Sequence, residues 1–204
     1  ELQDGGEWVS ESRDGDELDL ICRRETWEAV QAVDRPLVIR KAGPGDAADA
    51  FSVQMDAARW LASRGLRQWD AYLADTGKFE RLNANWIEAG EMWVAELAGE
   101  IAGVFRLAAA DAWTNESWSD TSAGERYVSR LAVRRAFAGR SLGLRMLRRA
   151  ELLALAAGAT AVRLDCVADH PVLRDYYERA SYAPCGEVDA HGSRLARFER
   201  RFIP

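Results

Sequence analysis

Apolar and polar positions sort this chain into alternating short strands and amphipathic helices. Tyr127, Ser129, Leu131 and Val133 alternate with Val128, Arg130 and Ala132, the two-residue period of a strand. From Gly143 the small or apolar positions 146, 147, 150, 153, 154 and 157 keep helical spacing, while Arg145, Arg148, Arg149 and Glu151 fall largely off that stripe. Gly158 is placed to end this helix. A strand over Ala161–Val167 and a helix over Pro171–Ala180 follow, the helix opening with proline at a favoured first-turn position. The strand–helix–strand unit from Tyr127 to Val167 therefore predicts a right-handed parallel crossover.

Upstream, residues 36–40 (Pro36 to Arg40) read as the first core strand. Gly43 to Asp46 is a turn with Asp46 as a helix N-cap. Helical residues run to about Leu61, stop near Ser63–Gly65, and resume from about Asp75 to Glu88. Met92–Leu97 and Glu100–Ala108 form a hairpin around Ala98-Gly99, and Asp111–Gly124 reads as a loop containing Trp113 and Trp118. Two last strands fit Ala183–Val188 and Arg194–Phe202. Residues 1–36 read as an ordered accessory segment, with a hairpin around Asp14-Gly15-Asp16 and a short helix from Thr26 to Asp34, or else as a loose acidic tail. Residues 37–204 then form the main domain.

A chain of 204 residues, 48% hydrophobic, suffices for one sizeable core. No apolar run approaches the roughly 20 residues of a membrane span. Cys22, Cys166 and Cys185 are scattered without a CxxC spacing, and His170 and His191 are the only histidines, so no metal site is expected. Cys166, in an apolar strand, reads as a small buried hydrophobe. Reduced thiols and an acidic, polar N-terminus predict a cytoplasmic protein. The formal charge of -6 argues against general nucleic-acid binding.

Against that acidic balance, Arg126 to Ala150 holds eight arginines and no Asp or Glu. Within it the turn Ala138-Gly139-Arg140-Ser141-Leu142-Gly143 stands at a helix N-terminus, where free N–H groups and the helix dipole attract an anion. Ringed by arginine, it suits a phosphorylated ligand. It is not a Walker loop, because Leu144 follows Gly143, and it lacks the GxGxxG spacing of a dinucleotide fold.

The segment resembles the pyrophosphate-binding segment of the GNAT superfamily of N-acetyltransferases. There a strand ending Leu-x-Val leads into Arg/Gln-x-x-Gly-x-Gly/Ala. Here the strand ends Leu131-Ala132-Val133 and the last glycine is Gly143, with Ala138 in place of Arg/Gln and Ser141 in place of the middle Gly. Downstream, AVRLDCVADHPVLRDYYERASYAP is similar to the family's next strand and helix, matching at His170, Leu173, Tyr177, Ser181 and Tyr182. His170 stands for the usual Asn and Ser181 for Gly. The resemblance covers roughly residues 37 to 202.

The resemblance implies an α/β fold (α+β by some schemes): a mixed, mostly antiparallel sheet of about seven strands, flanked by helices on both faces, with a parallel strand–helix–strand core for acyl-CoA. It implies acetyl-CoA as co-substrate, its pyrophosphate on Gly139, Arg140, Ser141, Leu142, Gly143 and Leu144. The pantetheine arm would pair with backbone at Leu131, Ala132 and Val133 as an added strand does. The Leu131 amide would be the oxyanion donor, Tyr177 the general acid, and His170 a further donor-site residue. Family members that place a Glu four residues before the Leu131 position would have it at Tyr127; Glu125, on the same strand face, is the base candidate here, or else a surface carboxylate. Asp165 and Glu96 are weaker candidates. The acceptor should contact the first two helices and Ser63–Trp69, where Trp60, Trp69 and Trp86 gather. The implied activity is acetyl transfer to a primary amine, foremost of a small molecule. A protein N-terminal or lysine acetyltransferase and a silent acyl-CoA-binding module are the alternatives. An extended acidic groove would favour a protein acceptor, and a closed aromatic pocket a small one. A monomer or homodimer with no nucleic-acid or membrane partner is expected.

Overall fold

The structure, a computed structural model, describes residues 37–202; the accessory segment expected over residues 1–36 lies outside the described residues. Seven strands form one sheet: β1 (Leu37–Lys41), β2 (Met92–Leu97), β3 (Glu100–Ala108), β4 (Glu125–Val133), β5 (Ala161–Val167), β6 (Ala183–Ala190) and β7 (Ser193–Arg201). Their order is β1-β2-β3-β4-β5-β7-β6. Every neighbouring pair is antiparallel except β4 and β5, which are parallel. The mixed, mostly antiparallel architecture expected from the sequence is the one observed.

Helices cover both faces. On one, α1 (Ala47–Ser63), α2 (Asp70–Ala74) and α3 (Thr76–Glu88) bury Phe51, Val53, Tyr72, Phe79 and Ile87 against Met92, Val94 and Val104 of the sheet. On the other, α5 (Leu142–Ala156) and α6 (Pro171–Arg179) bury Met146, Leu147, Ala150 and Tyr177 against Phe105, Val162, Leu164 and Phe198. Met146 and Leu147 are fully buried, each worth about 1.5–3 kcal/mol of transfer free energy. Helix α5 comes so close to β3 that a Cβ on Gly103 would stand 2.8 Å from Met146 Sδ, so the glycine sets that packing distance.

Two local expectations are corrected. Asp46 does not cap α1 with its side chain; its carboxylate accepts from Gly43 N at 2.7 Å and from Arg40 at 2.7 and 2.9 Å, holding the 3-10 turn Pro44–Asp46 instead. The stretch read as a loop contains α4 (Ala112–Ser117), because Asp111 accepts from Thr114 N at 2.8 Å and starts a helix.

The feature that makes a site is a split in the sheet. β4 and β5 pair only at Glu125↔Ala161, Arg126↔Val162 and Tyr127↔Arg163. Beyond that, β4 continues with β3 while β5 continues with β7. Arg163 pins the closed end. Its side chain, 4% exposed, donates to Glu199 at 2.7 Å, Asp120 at 2.9 Å and Tyr127 Oη at 3.3 Å. The strand β4 then carries a bulge: Val104↔Ala132 and Arg106↔Ser129 leave an extra residue on β4, and Arg130 takes φ 57.

Candidate active site

The split leaves backbone groups of β4 unpaired. Arg134 N donates to Ala102 O at 2.8 Å, so Arg134 faces β3. By the two-residue alternation of a strand, Ala132 faces β3 as well, while Leu131 and Val133 turn their N–H and C=O groups into the split. At its outer end lies the turn predicted to hold an anion. Gly139 (φ 74) and Ser141 (φ 55) are both left-handed, Ser141 where the resembling family has glycine. This conformation costs a non-glycine residue about 1–2 kcal/mol. It aims consecutive amides outward: none of the N–H groups from Gly139 to Leu144 donates to a described residue, the first helical bond being Arg145 N to Ser141 O at 3.0 Å. A concave set of free amides at a helix N-terminus fits a pyrophosphate.

Most of the expected donor-site residues are brought together here. Leu131, Ala132, Val133, Gly139, Ser141, Leu142, Gly143, Leu144, His170 and Tyr177 all line one cavity of about 190 Å³. Arg140 is the exception: it is exposed and lies over the Phe137 ring at 5.6 Å, outside the lining. Arg135 lines the cavity in its place, stacked 4.1 Å from the Trp60 ring, its amide held by Asp56 at 2.7 Å. His170 caps α6, Nδ1 accepting from Leu173 N at 3.2 Å, and burial lowers its pKa. The ring is therefore neutral with its proton on Nε2. Tyr176, read from sequence as a packing residue, instead reaches the turn: a Cβ on Gly143 would stand 2.9 Å from its Oη.

A second cavity, of about 560 Å³, is lined by Val128 to Leu131 of β4 and Leu164 to Val167 of β5. Trp69, Tyr72, Phe79 and Trp113 supply aromatic walls, and Arg106, Arg130 and Asp165 charge. Gln68, Trp69, Leu131 and Tyr177 line both cavities. Tyr177 is 7% exposed, and burial pushes its phenol well above the ordinary value. Its hydroxyl makes no hydrogen bond to a described residue. Cys166 also lines the second cavity, its thiol pushed up to about 12 by burial and by Asp165. The Asp165 carboxyl is raised by burial, opposed by Arg130 and His191.

Glu125, the sequence's base candidate, is not brought here. Its carboxylate accepts from Ser122 N and Oγ, both at 2.7 Å, at the closed end of the split, and it lines neither cavity. Glu96 is likewise engaged elsewhere, by Arg40 at 3.2 Å. Of the tryptophans expected around the acceptor, Trp69 lines both cavities and Trp60 only the first, while Trp86 lines neither and has Arg106 and Arg130 over its ring. Arg130 and Tyr72 were missed by sequence reasoning. The one signal was an arginine beside an otherwise apolar Leu131-Ala132-Val133.

The model of the acetyltransferase (GNAT) family matches residues 56–182, from within α1 through the turn to Tyr182. The chain belongs to the GNAT acetyltransferase family. Over 152 residues it is 36% identical to the uncharacterized N-acetyltransferase YesJ of Bacillus subtilis (strain 168), covering 74% of this chain and 83% of that protein. A GNAT-family acetyltransferase from Listeria monocytogenes 4b F2365 superposes with a TM-score of 0.68 at 28% identity, over 81% of this chain and 95% of that one. The PaiA N-acetyltransferase from Thermoplasma acidophilum, in complex with coenzyme A, gives a TM-score of 0.64 at 15% identity, over 82% and 99% of the two chains, a likeness of fold. The GNAT chain is thus an acyl-CoA-dependent N-acetyltransferase with acetyl-CoA as co-substrate, and the split with its free amides is the feature that fits this donor. Among the described residues, no helix of this GNAT protein is long and apolar enough to cross a membrane.

Proposed function

We propose that the enzyme moves the acetyl group of acetyl-CoA directly onto a primary amine of a small molecule. The carrying observation is the pair of cavities that share only Gln68, Trp69, Leu131 and Tyr177: donor and acceptor occupy one each and meet between Leu131 and Tyr177. The amides of Gly139 to Leu144 hold the pyrophosphate, and the exposed edge of β4 at Leu131 and Val133 pairs with the pantetheine arm. His170 packs against the arm with its Nε2–H.

The amine enters as an ammonium and gives one proton to Asp165, a carboxyl whose raised pKa suits a base. Its lone pair attacks the thioester carbon. The Leu131 N–H receives the developing oxyanion. As the C–S bond breaks, Tyr177 gives its proton to the departing sulfur and regains one from the newly bonded nitrogen, leaving amide and free thiol. A protonated Cys166 is a poor nucleophile, which supports direct transfer over an acyl-enzyme. The aromatic walls, with arginines among the lining charges, support a small acceptor.

The test is an amine library incubated with acetyl-CoA, followed by free-thiol release and mass spectrometry of products. Acetylated small amines are expected. Acetylation confined to peptide N-termini or lysines overturns the small-molecule reading, and binding of acetyl-CoA with no transfer to any amine overturns the enzymatic one.

A further inference from the structure

Three arginines line the acceptor cavity, and their surroundings differ. Arg67 pairs with Asp70 at 2.8 Å. Arg106 is neutralised, with Glu91 and Asp111 both at 2.7 Å. Arg130 has no ion pair or hydrogen bond to a described residue, and its buried Nε is without a partner. Its guanidinium sits among rings only: Trp86 at 5.2 Å, Tyr72 and Trp113 at 5.5 Å, Phe79 at 6.0 Å. Beside it, Tyr72 is 1% exposed, its hydroxyl also lacks a partner, and that phenol lies in the field of Arg130 and Arg106. A half-buried guanidinium and a buried phenol left unmatched are costly unless a ligand completes them. Aromatic faces hold the cation in place but supply no lone pair for its N–H groups.

The opposite charge in the same cavity is also unmatched. Asp165 forms no ion pair with a described residue; Arg130 and His191 reach it only through the longer-range field, and the Trp118 indole without full hydrogen-bond geometry. One cavity therefore holds a cation and a carboxyl on different strands, too far apart to neutralise each other directly.

Building on the transferase reading, we propose that the acceptor is a primary amine that also carries a carboxylate, its carboxylate received by Arg130 and Tyr72 and its ammonium by Asp165. Guanidinium and phenol both donate to a carboxylate, and a charge-assisted bond of this kind discriminates strongly against an analogue lacking the anion. The aromatic walls favour an apolar body between or beside the two charged ends.

The test uses the full chain and matched sets: L-phenylalanine and L-leucine, their amides, the corresponding decarboxylated amines, and O-phosphoethanolamine. Acetyl-CoA binding is first measured by calorimetry. The expected result is a kcat/KM for the acids at least about 10-fold above that for amides and amines, as one charge-assisted bond gives. Arg130→Gln should shrink that preference by about 10- to 100-fold, and Tyr72→Phe, which orphans no partner, by about 3- to 10-fold. Amides, decarboxylated amines or the phosphorylated amine outrunning the acids overturns the proposal. So do variants that depress acids and amines alike. If acetyl-CoA binds and only decarboxylated amines are acetylated, the carboxylate inference falls while the transferase reading stands. If acetyl-CoA does not bind, both fall.

Discussion

Replacing Tyr177 with phenylalanine removes one oxygen and keeps a ring that packs against Tyr176, Tyr182 and Phe198 with centroids 5.5, 6.3 and 5.5 Å away. Because the hydroxyl bonds to no described residue, its loss strands no donor or acceptor, and the melting temperature should move by no more than about 2 °C. The chemical cost is separate. Burial keeps the phenol protonated far past neutrality, so in the parent every molecule has the proton ready. A positioned proton donor is worth about 10² to 10⁴ in rate. Tyr177 lines cavities that water can enter, so water substitutes in part, and the lower half, about 10² to 10³ or roughly 2.7 to 4 kcal/mol, is expected. Thiol release in single-turnover experiments with saturating acetyl-CoA isolates the chemical step. The loss should fall on the rate and leave donor affinity alone. Tyr176→Phe should behave in the opposite way, raising KM for acetyl-CoA, because its hydroxyl stands over Gly143. Single-turnover rates for Tyr177→Phe within about threefold of the parent would refute the acid assignment.

Gly143→Glu places a side chain against Tyr176 and a carboxylate at the proposed pyrophosphate site; acetyl-CoA affinity should fall by about 100-fold or more in calorimetry with unchanged circular dichroism, and an unaltered affinity would remove the turn from the donor site. Glu199→Ala leaves the buried Arg163 with Asp120 as its one carboxylate partner among the described residues, at a cost of about 3 kcal/mol, so thermal melting should drop by about 6 to 12 °C. A drop below about 2 °C would show that Asp120 suffices. Asp165 has a folded pKa above its unfolded one, so its contribution to stability is greatest at low pH and is lost as pH rises through the folded value. Asp165→Asn should accordingly melt higher than the parent at neutral pH, with the gap closing as pH falls toward about 4; a gap independent of pH would disprove the shifted carboxyl.

Where local pattern and tertiary context agree, sequence and structure coincide: Met92–Leu97, Glu100–Ala108 and Ala161–Val167 begin and end as read, since each is a short apolar run bounded by glycine or a turn. The turn with free amides was legible because a glycine and a helix start are both written in one stretch. Glu125 was misplaced because same-face reasoning along a strand cannot tell where its neighbour departs; the split opens after Tyr127, leaving Glu125 at the closed end. Arg130 was hidden because a bulge with a non-glycine residue at φ 57 leaves no mark in an alternating pattern. Asp111 carried a cap signal in the spacing to Thr114, but the six residues of α4 are too short for periodicity to announce them.

The split also decides how the molecule holds together. Its sheet is two leaves, β1–β4 and β5-β7-β6, clasped by three residue pairs and by α5, whose buried side chains touch both. Hydrogen-bonded cooperativity is strong within each leaf and thin between them, so the leaves are natural units of partial opening. In the proposed placement, a donor between them would supply hydrogen bonds where the sheet has none, in effect a temporary eighth strand. Amide hydrogens of Leu131 and Val133 should then be slowed in exchange by the nucleotide thioester, and the loosest seam of the apo sheet would become a continuous one for the duration of each catalytic cycle.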